Sequence, residues 1–255
     1  MSKNESDLES LVREAREGHA AALEELIRKV QDNVYGLSLR MLYSPADAED
    51  AAQEILVKII TNLESFRGES AFTTWMYRVA ANHLLTTRKR QKEKQAISFE
   101  EFEVDLDLES ARKWRESSGH PLDNIYREEI RMSCLQALLL CLDREHRLVY
   151  LLVDVFDIDS KQGAEILCIS AAAFRKRLSR ARRKMKDFLT GNCALIDPEN
   201  PCKCGFHAEA MAGTSRFDKE NMVFANHACR IRQEPTSHLL VIEMDRLNQI
   251  GNLYK

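Results

Sequence analysis

Cys202 and Cys204, two residues apart in the Pro- and Gly-punctuated stretch NPCKCGFH, have the spacing of soft-metal ligands. Thiolates at i and i+2 on such a loop can converge on one ion, and Cys193 with His207 or Cys229 would complete a four-ligand set for zinc or a smaller one for copper(I). The spacing is not that of a standard zinc finger. Exposed paired thiols also oxidise readily, so the same residues fit a redox switch, and an inert tail is the third reading. The total of seven cysteines is odd. Cys134, Cys141 and Cys168 fall inside helical apolar patterns, where a reduced cysteine behaves as a small core residue. After the thiols, Leu239, Ile242, Met244, Leu247, Ile250 and Leu253 spell an amphipathic helix whose wide apolar face must cover something.

A different chemistry is carried by cations. Arg175, Lys176, Arg180, Arg182, Arg183 and Lys186 crowd one short stretch of a chain whose net charge is −3, so local distribution and not the total sets the field that a polyanion meets. Phe174, Leu178, Ala181, Met185 and Phe188 recur among them every three to four residues, which predicts one helix with a buried stripe and basic outer faces. Ser170 is its N-cap. A shorter helix precedes it, opened by Asp159 with Gln162 three residues on and ending near Leu167, and residues 168–170 supply a tight turn. A lone basic helix reads equally as a solvated surface. Two capped helices across such a turn form a helix-turn-helix, in which the second enters the major groove and its cations meet phosphates and base edges.

A third constellation lies upstream. Trp75, Arg78, Asn82, Thr86 and Lys89 align at spacings of three and four, and Arg88, Arg90, Lys92 and Lys94 extend the charge. An aromatic, amide and basic helix face suits single-stranded nucleic acid, since a ring stacks on an unpaired base while the cations follow the phosphates. Trp75 as an ordinary core residue is the competing reading.

The elements that must hold these residues are helical throughout. With 44% hydrophobic and 30% charged residues in 255, the chain can bury a sizeable core, and no apolar run reaches the roughly 20 residues of a membrane span. The opening MSKNESDLES lacks the basic-then-apolar pattern of a secretory signal, and the expected location is the cytoplasm. A first short helix ends at Gly18. Leu23, Leu26, Ile27, Val30, Val34, Leu37 and Met41 mark a long amphipathic helix. Ser44 and Pro45 begin a third, with Ala48, Ala51, Ala52, Ile55, Leu56, Ile59 and Leu63 inward and Asp50, Gln53, Glu54 and Lys58 outward. Residues 91–121 lack periodicity and carry the acidic run Glu100, Glu101, Glu103, Asp105, Asp107 and Glu109, as a linker would. Helical pattern resumes with Ile130, Cys134, Leu138 and Cys141, and Asp143 caps the next helix. No period-two alternation requires a sheet. The expectation is all-α, with domains at 1–92 and 123–190, a linker at 93–122 and a Cys-rich extension at 191–255.

Three stretches taken in series, DAEDAAQEILVKI, FRGESAFTTWMYRVAANHLLTTRKR and FRKRLSRARRKM, resemble the bacterial sigma-70 superfamily, specifically its small two-domain extracytoplasmic-function RNA polymerase sigma factors, over about residues 10–190. The resemblance implies two helical domains. It implies that Asp50, Gln53 and Glu54 contact the β′ clamp helices of core polymerase, that residues 66–90 open and bind the minus-10 promoter element, and that the Ser170 helix reads the minus-35 element. Docking on the β flap, an acidic linker threading the polymerase RNA channel and control by an anti-sigma partner are further family traits. Some relatives carry Cys-rich extensions that respond to metal. The chain departs from the pattern at Leu142-Asp143, where Leu-Pro is common, at Gln162-Gly163, where Glu-Ile is common, and at Cys168, where glycine is usual. Gly163 costs a helix about 1 kcal/mol relative to alanine, so a less rigid first helix is expected.

Two other functional classes are weighed beside this. A stand-alone helix-turn-helix regulator would use the same cations without polymerase and bind duplex tightly by itself. An enzyme would need a nucleophile or acid paired with a general base, or a phosphate-cradling glycine loop, and the sequence presents neither, so no enzymatic activity is expected.

Overall fold

The computed structural model describes residues 3–87, 98–105 and 124–204. Among them are nine α-helices and no strand beyond a single bridge between Cys193 and Cys202. Packing gathers the chain into two compact units, Met1–Gln95 with Asp143–Leu178, and Ala96–Leu142 with Ser179–Lys255.

The first unit begins with α1 (Lys3–Arg16) and α2 (Ala20–Leu42). Gly18 turns the chain between them at φ +92°, a backbone region that side chains with a Cβ rarely enter. On α2, Leu26, Val30, Val34, Leu37 and Met41 are fully buried, as their helical period requires. Tyr43 ends the helix in the left-handed region, its N–H donating to the Leu39 carbonyl at 2.8 Å. Ser44 then caps α3 (Pro45–Thr61) by accepting from the Asp47 N–H at 3.4 Å, with Pro45 at the first helical position. Ala48, Ala51, Ala52, Ile55 and Ile59 are buried beneath it. A short 3-10 turn (Leu63–Ser65) leads through Gly68 to α4 (Phe72–Thr86), which buries Phe72, Met76, Ala80 and Leu84.

The second unit holds α5 (Phe99–Asp105) and α6 (Asn124–Cys141). The acidic stretch, expected to be a linker with at most short structure, forms one short helix where it is described. Its start is a reciprocal cap in which the Ser98 N–H donates to Glu101 at 2.7 Å and the Glu101 N–H donates to the Ser98 hydroxyl at 3.1 Å. Phe99 and Phe102 set their rings 5.7 and 5.6 Å from that of Phe188.

Returning to the first unit, Asp143 caps α7 (Arg144–Tyr150) by accepting from the His146 N–H at 3.0 Å. A wider π turn (Leu151–Val155) follows, then α8 (Ser160–Ile166), with the Asp159 carboxylate accepting from the N–H groups of Lys161 and Gln162 at 2.8 and 2.9 Å. Cys168 sits in the turn at φ +52°, where glycine would be unstrained. The Ser170 hydroxyl accepts from the Ala173 N–H at 3.2 Å and opens α9 (Ala171–Asn192). Gly163 has a packing reason. A Cβ built there would lie 2.3 and 2.6 Å from ring carbons of Phe174, so the glycine lets the two helices of the motif close on a fully buried aromatic ring.

Candidate nucleic-acid interface

The cation-rich helix presents its charges as its period dictates. Phe174, Leu178, Ala181 and Met185 are buried, while Arg175, Lys176, Arg180 and Arg183 are exposed and Arg182 is half-exposed. Arg177 is held instead by Glu145 of α7, 3.0 Å away. Such a row of exposed cations, starting in the second turn of the second helix of a helix-turn-helix, can meet phosphates along a groove and base edges within it.

On α4 the constellation is less open than its spacing suggests. Trp75 is half-buried, its ring 5.6 Å from Phe66 and 5.8 Å from Phe72, so it belongs to an aromatic cluster as much as to a surface. Asn82 is exposed. Arg78 donates from Nη2 to the carbonyl of Glu165 at 3.1 Å, near the end of α8. Tyr77 is buried with its ring 5.6 Å from Phe156, and burial pushes its phenol well above the ordinary range, the nearby Arg40 opposing the shift. Arg88 and Lys89 lie outside the described residues.

Two more arginines repeat the contact that Arg78 makes. Arg144 donates to the carbonyls of Leu85 and Thr87 at the end of α4, and the buried Arg147 donates to the carbonyl of Met41 at the end of α2. The last carbonyls of a helix have no partner within it and carry the negative end of its dipole, so a guanidinium fork fits there in both geometry and charge.

The outward face of α3 carries Asp50, Gln53 and Glu54, all exposed. Lys58 Nζ lies 2.7 Å from Nδ1 of His83, which is 4% exposed on α4, and Glu54 approaches Nε2 of the same ring at 3.7 Å. A lysine ammonium can only donate, so the ring proton belongs on Nε2, facing Glu54. Two residues missed by sequence reading also stand on α3's surface: Val57 is 57% exposed and Ile60 39%. Val57 four residues after Gln53, and Ile60 three after Val57, was the available signal. Large apolar side chains left in water beside a polar rim have the composition of a docking surface.

Cys193, Cys202 and Cys204 are described, while His207 and Cys229 lie outside the described residues, as does the expected helix over 239–253. Among the described residues, no group of three or more His, Cys, Asp or Glu side chains is drawn together tightly enough to hold a metal ion as it stands. Burial pushes Cys134 of α6 well above the usual thiol range and Cys202 up to about 12, and in both the neighbouring tail thiols add to the shift. Burial raises Cys204 too, against the opposing effect of Arg131, which hydrogen-bonds it.

Known proteins share this arrangement. The Sigma-70 region 2 model matches residues 26–94, and the Sigma-70, region 4 model matches residues 132–185. The ECF RNA polymerase sigma-E factor of Escherichia coli (strain K12) is 30% identical over 178 residues, covering 68% of this chain and 88% of that protein. The ECF RNA polymerase sigma factor SigW of Bacillus subtilis (strain 168) is 26% identical over 180 residues, covering 69% and 92%. The RNA polymerase sigma-H factor of Pseudomonas aeruginosa is 35% identical over 114 residues, and there the chain spans only 59% of its relative's length. The solved structure of CnrH in complex with the cytosolic domain of CnrY matches in fold, with a TM-score of 0.51 at 18% identity over 74% of this chain and 97% of that one. The fold and its two matched regions are those of the sigma-70 family. Within it, the chain belongs to the ECF RNA polymerase sigma factors.

Proposed function

We propose that this sigma factor docks on the β′ clamp helices of core RNA polymerase through the α3 face bearing Asp50, Gln53 and Glu54, with Val57 and Ile60 supplying apolar contact. Residues 66–90, with Trp75, Arg78, Asn82, Arg88 and Lys89, take the opened minus-10 element. Arg175, Lys176 and Arg180 on α9 read the minus-35 element, while Arg182 and Arg183 hold phosphates. The second unit meets the β flap, and an anti-sigma partner competes for these surfaces. The protein acts in the cytoplasm by binding and not by catalysis, and among the described residues no helix is long and apolar enough to cross a membrane. The tail conditions the activity through metal or redox chemistry at Cys193, Cys202, Cys204, His207 and Cys229.

The observation that carries the reading is the exposed cation row on α9, set opposite a fully apolar stripe in a capped helix-turn-helix. Alanine at a base-reading arginine of that row costs about 1–3 kcal/mol and relaxes preference at one base pair, whereas alanine at a phosphate contact lowers affinity evenly and reduces the salt slope by about one. Binding of holoenzyme to minus-35 variants, with Arg175, Lys176 and Arg180 replaced singly and together, measures this. Unchanged minus-35 preference in the triple variant removes α9 from the interface.

A further inference from the structure

Of the three consecutive cations that open the row on α9, Arg175 and Lys176 are exposed, whereas the Arg177 side chain is 32% exposed and its Nη2 lies 3.0 Å from Oε2 of Glu145. Arg177 follows the buried Phe174 by three residues and precedes the exposed Arg180 by three, which puts it on the flank of the helix between the apolar stripe and the exposed row. The flanks of a helix lying in the major groove face the phosphates on either side of it. Glu145 stands in the first turn of α7, a turn locked by Asp143, which accepts from the His146 N–H at 3.0 Å and sets its other carboxylate oxygen 2.7 Å from His146 Nδ1. The Glu145 side chain is 57% exposed, so the pair meets water and contributes little to stability. A carboxylate standing in water beside cations that face a polyanion weakens their field unless it has another use.

We propose that Glu145 is a positioning residue for promoter binding: by holding one N–H of the Arg177 guanidinium it aims the remaining donors at a backbone phosphate beside the minus-35 element, and Arg177 is a further phosphate contact of α9. The inference rests on the reading of α9 as the minus-35 helix. A guanidinium carries five N–H donors in a planar fork, so one ion pair leaves others for two phosphate oxygens. An arginine already fixed by a carboxylate loses less side-chain freedom when the phosphate arrives than one swinging in water. Phosphates recur at every base pair, so this contact sets register and affinity and not base preference. Charge and positioning predict opposite signs. By charge alone, removal of Glu145 tightens binding to DNA, because a negative charge leaves the interface; by positioning, it weakens binding as long as Arg177 is present.

The test uses holoenzyme assembled from core RNA polymerase and the full chain, as wild type, Glu145→Ala, Glu145→Gln, Arg177→Ala and Glu145→Ala/Arg177→Ala, with binding to a promoter duplex followed by fluorescence anisotropy across salt concentrations. Expected for Arg177→Ala is a loss of about tenfold, even across minus-35 variants, with the salt slope reduced by about one and helical circular dichroism retained. Glu145→Ala loses about two- to tenfold, and Glu145→Gln, which keeps an acceptor oxygen, loses less. In the Arg177→Ala background the same Glu145→Ala change no longer weakens binding. Tighter binding by Glu145→Ala in the wild-type background overturns the proposal, and so does an equal loss in both backgrounds, which would mean that Glu145 acts through the fold of α7. Full affinity and an unchanged salt slope in Arg177→Ala overturn it as well. Arg175→Ala/Lys176→Ala/Arg180→Ala, measured alongside, separates the two readings. Where that triple variant loses minus-35 preference, a contrary result falls on the Glu145–Arg177 pair alone; where it keeps the preference, α9 leaves the interface and the proposal goes with it.

Discussion

Arg78 of α4 donates to the carbonyl of Glu165 near the end of α8, 3.1 Å away, and so holds one of the proposed minus-10 contacts against the first helix of the DNA-reading motif. Tyr77, next to it, packs on Phe156. Parting of α4 and α8 would free that Arg78 donor for the proposed contact with single-stranded promoter DNA. Phe156→Ala removes a ring contact from this seam and leaves every proposed DNA contact in place. We expect it to raise the affinity of the chain for a minus-10 single strand several-fold and to cost about 1–3 kcal/mol of stability, as truncation of a half-buried ring should. Fluorescence anisotropy with a labelled oligonucleotide measures the first and urea unfolding the second. Equal affinity in the two proteins would mean that the seam does not limit access.

Gly163→Ala tests why the motif carries a glycine inside its first helix. Helix propensity alone favours alanine by about 1 kcal/mol. The new Cβ would meet the Phe174 ring at 2.3 Å, and the ring is fully buried, so repacking strain should win. A net loss of about 1–3 kcal/mol is expected from thermal or urea unfolding, the range for overpacking a filled core. A stabilised variant would show that the Phe174 ring can move away freely.

Tyr77 predicts the alkaline limit of stability. Its folded-state phenol titrates above the ordinary value near 10 because burial disfavours the phenolate. Between these two values the unfolded chain binds fewer protons than the folded one, so stability falls as pH rises above about 10 and is unaffected by this group below it. Tyr77→Phe should flatten that decline. The check is a series of urea midpoints from pH 8 to about 11, and an equally steep decline in Tyr77→Phe would assign the effect to other groups, the buried thiols first.

What could be read from the sequence was what is local. Ser44, Asp143, Asp159 and Ser170 all cap the helices expected of them, because a cap needs only a short polar side chain within three residues of the N–H it satisfies. The stripes on α2, α3, α4 and α9 follow from periodicity in the same way. Contacts made across the chain left no such trace. Arg78 reads as a nucleic-acid contact and Arg144 and Arg147 belong to no motif, yet each serves a helix end far away in sequence. Gly163 read as a weakness because Phe174 packs on it from the next helix. On α3, Glu54 read as plain outer surface, but it faces His83, so its charge cannot be reversed without touching the interior. Asp50 and Val57 are exposed and make cleaner probes of the proposed docking.

The central claim is tested most directly by run-off transcription from a promoter template with core RNA polymerase, supplied with the wild-type chain, with Asp50→Lys/Val57→Asp, or with none. The account predicts a discrete promoter-dependent transcript with the wild type only, loss of co-elution with core for the double variant, and unchanged helical circular dichroism in it. Tight duplex binding by the chain alone, with no transcript from any holoenzyme and undiminished co-elution of the double variant, would contradict it and leave a stand-alone helix-turn-helix regulator.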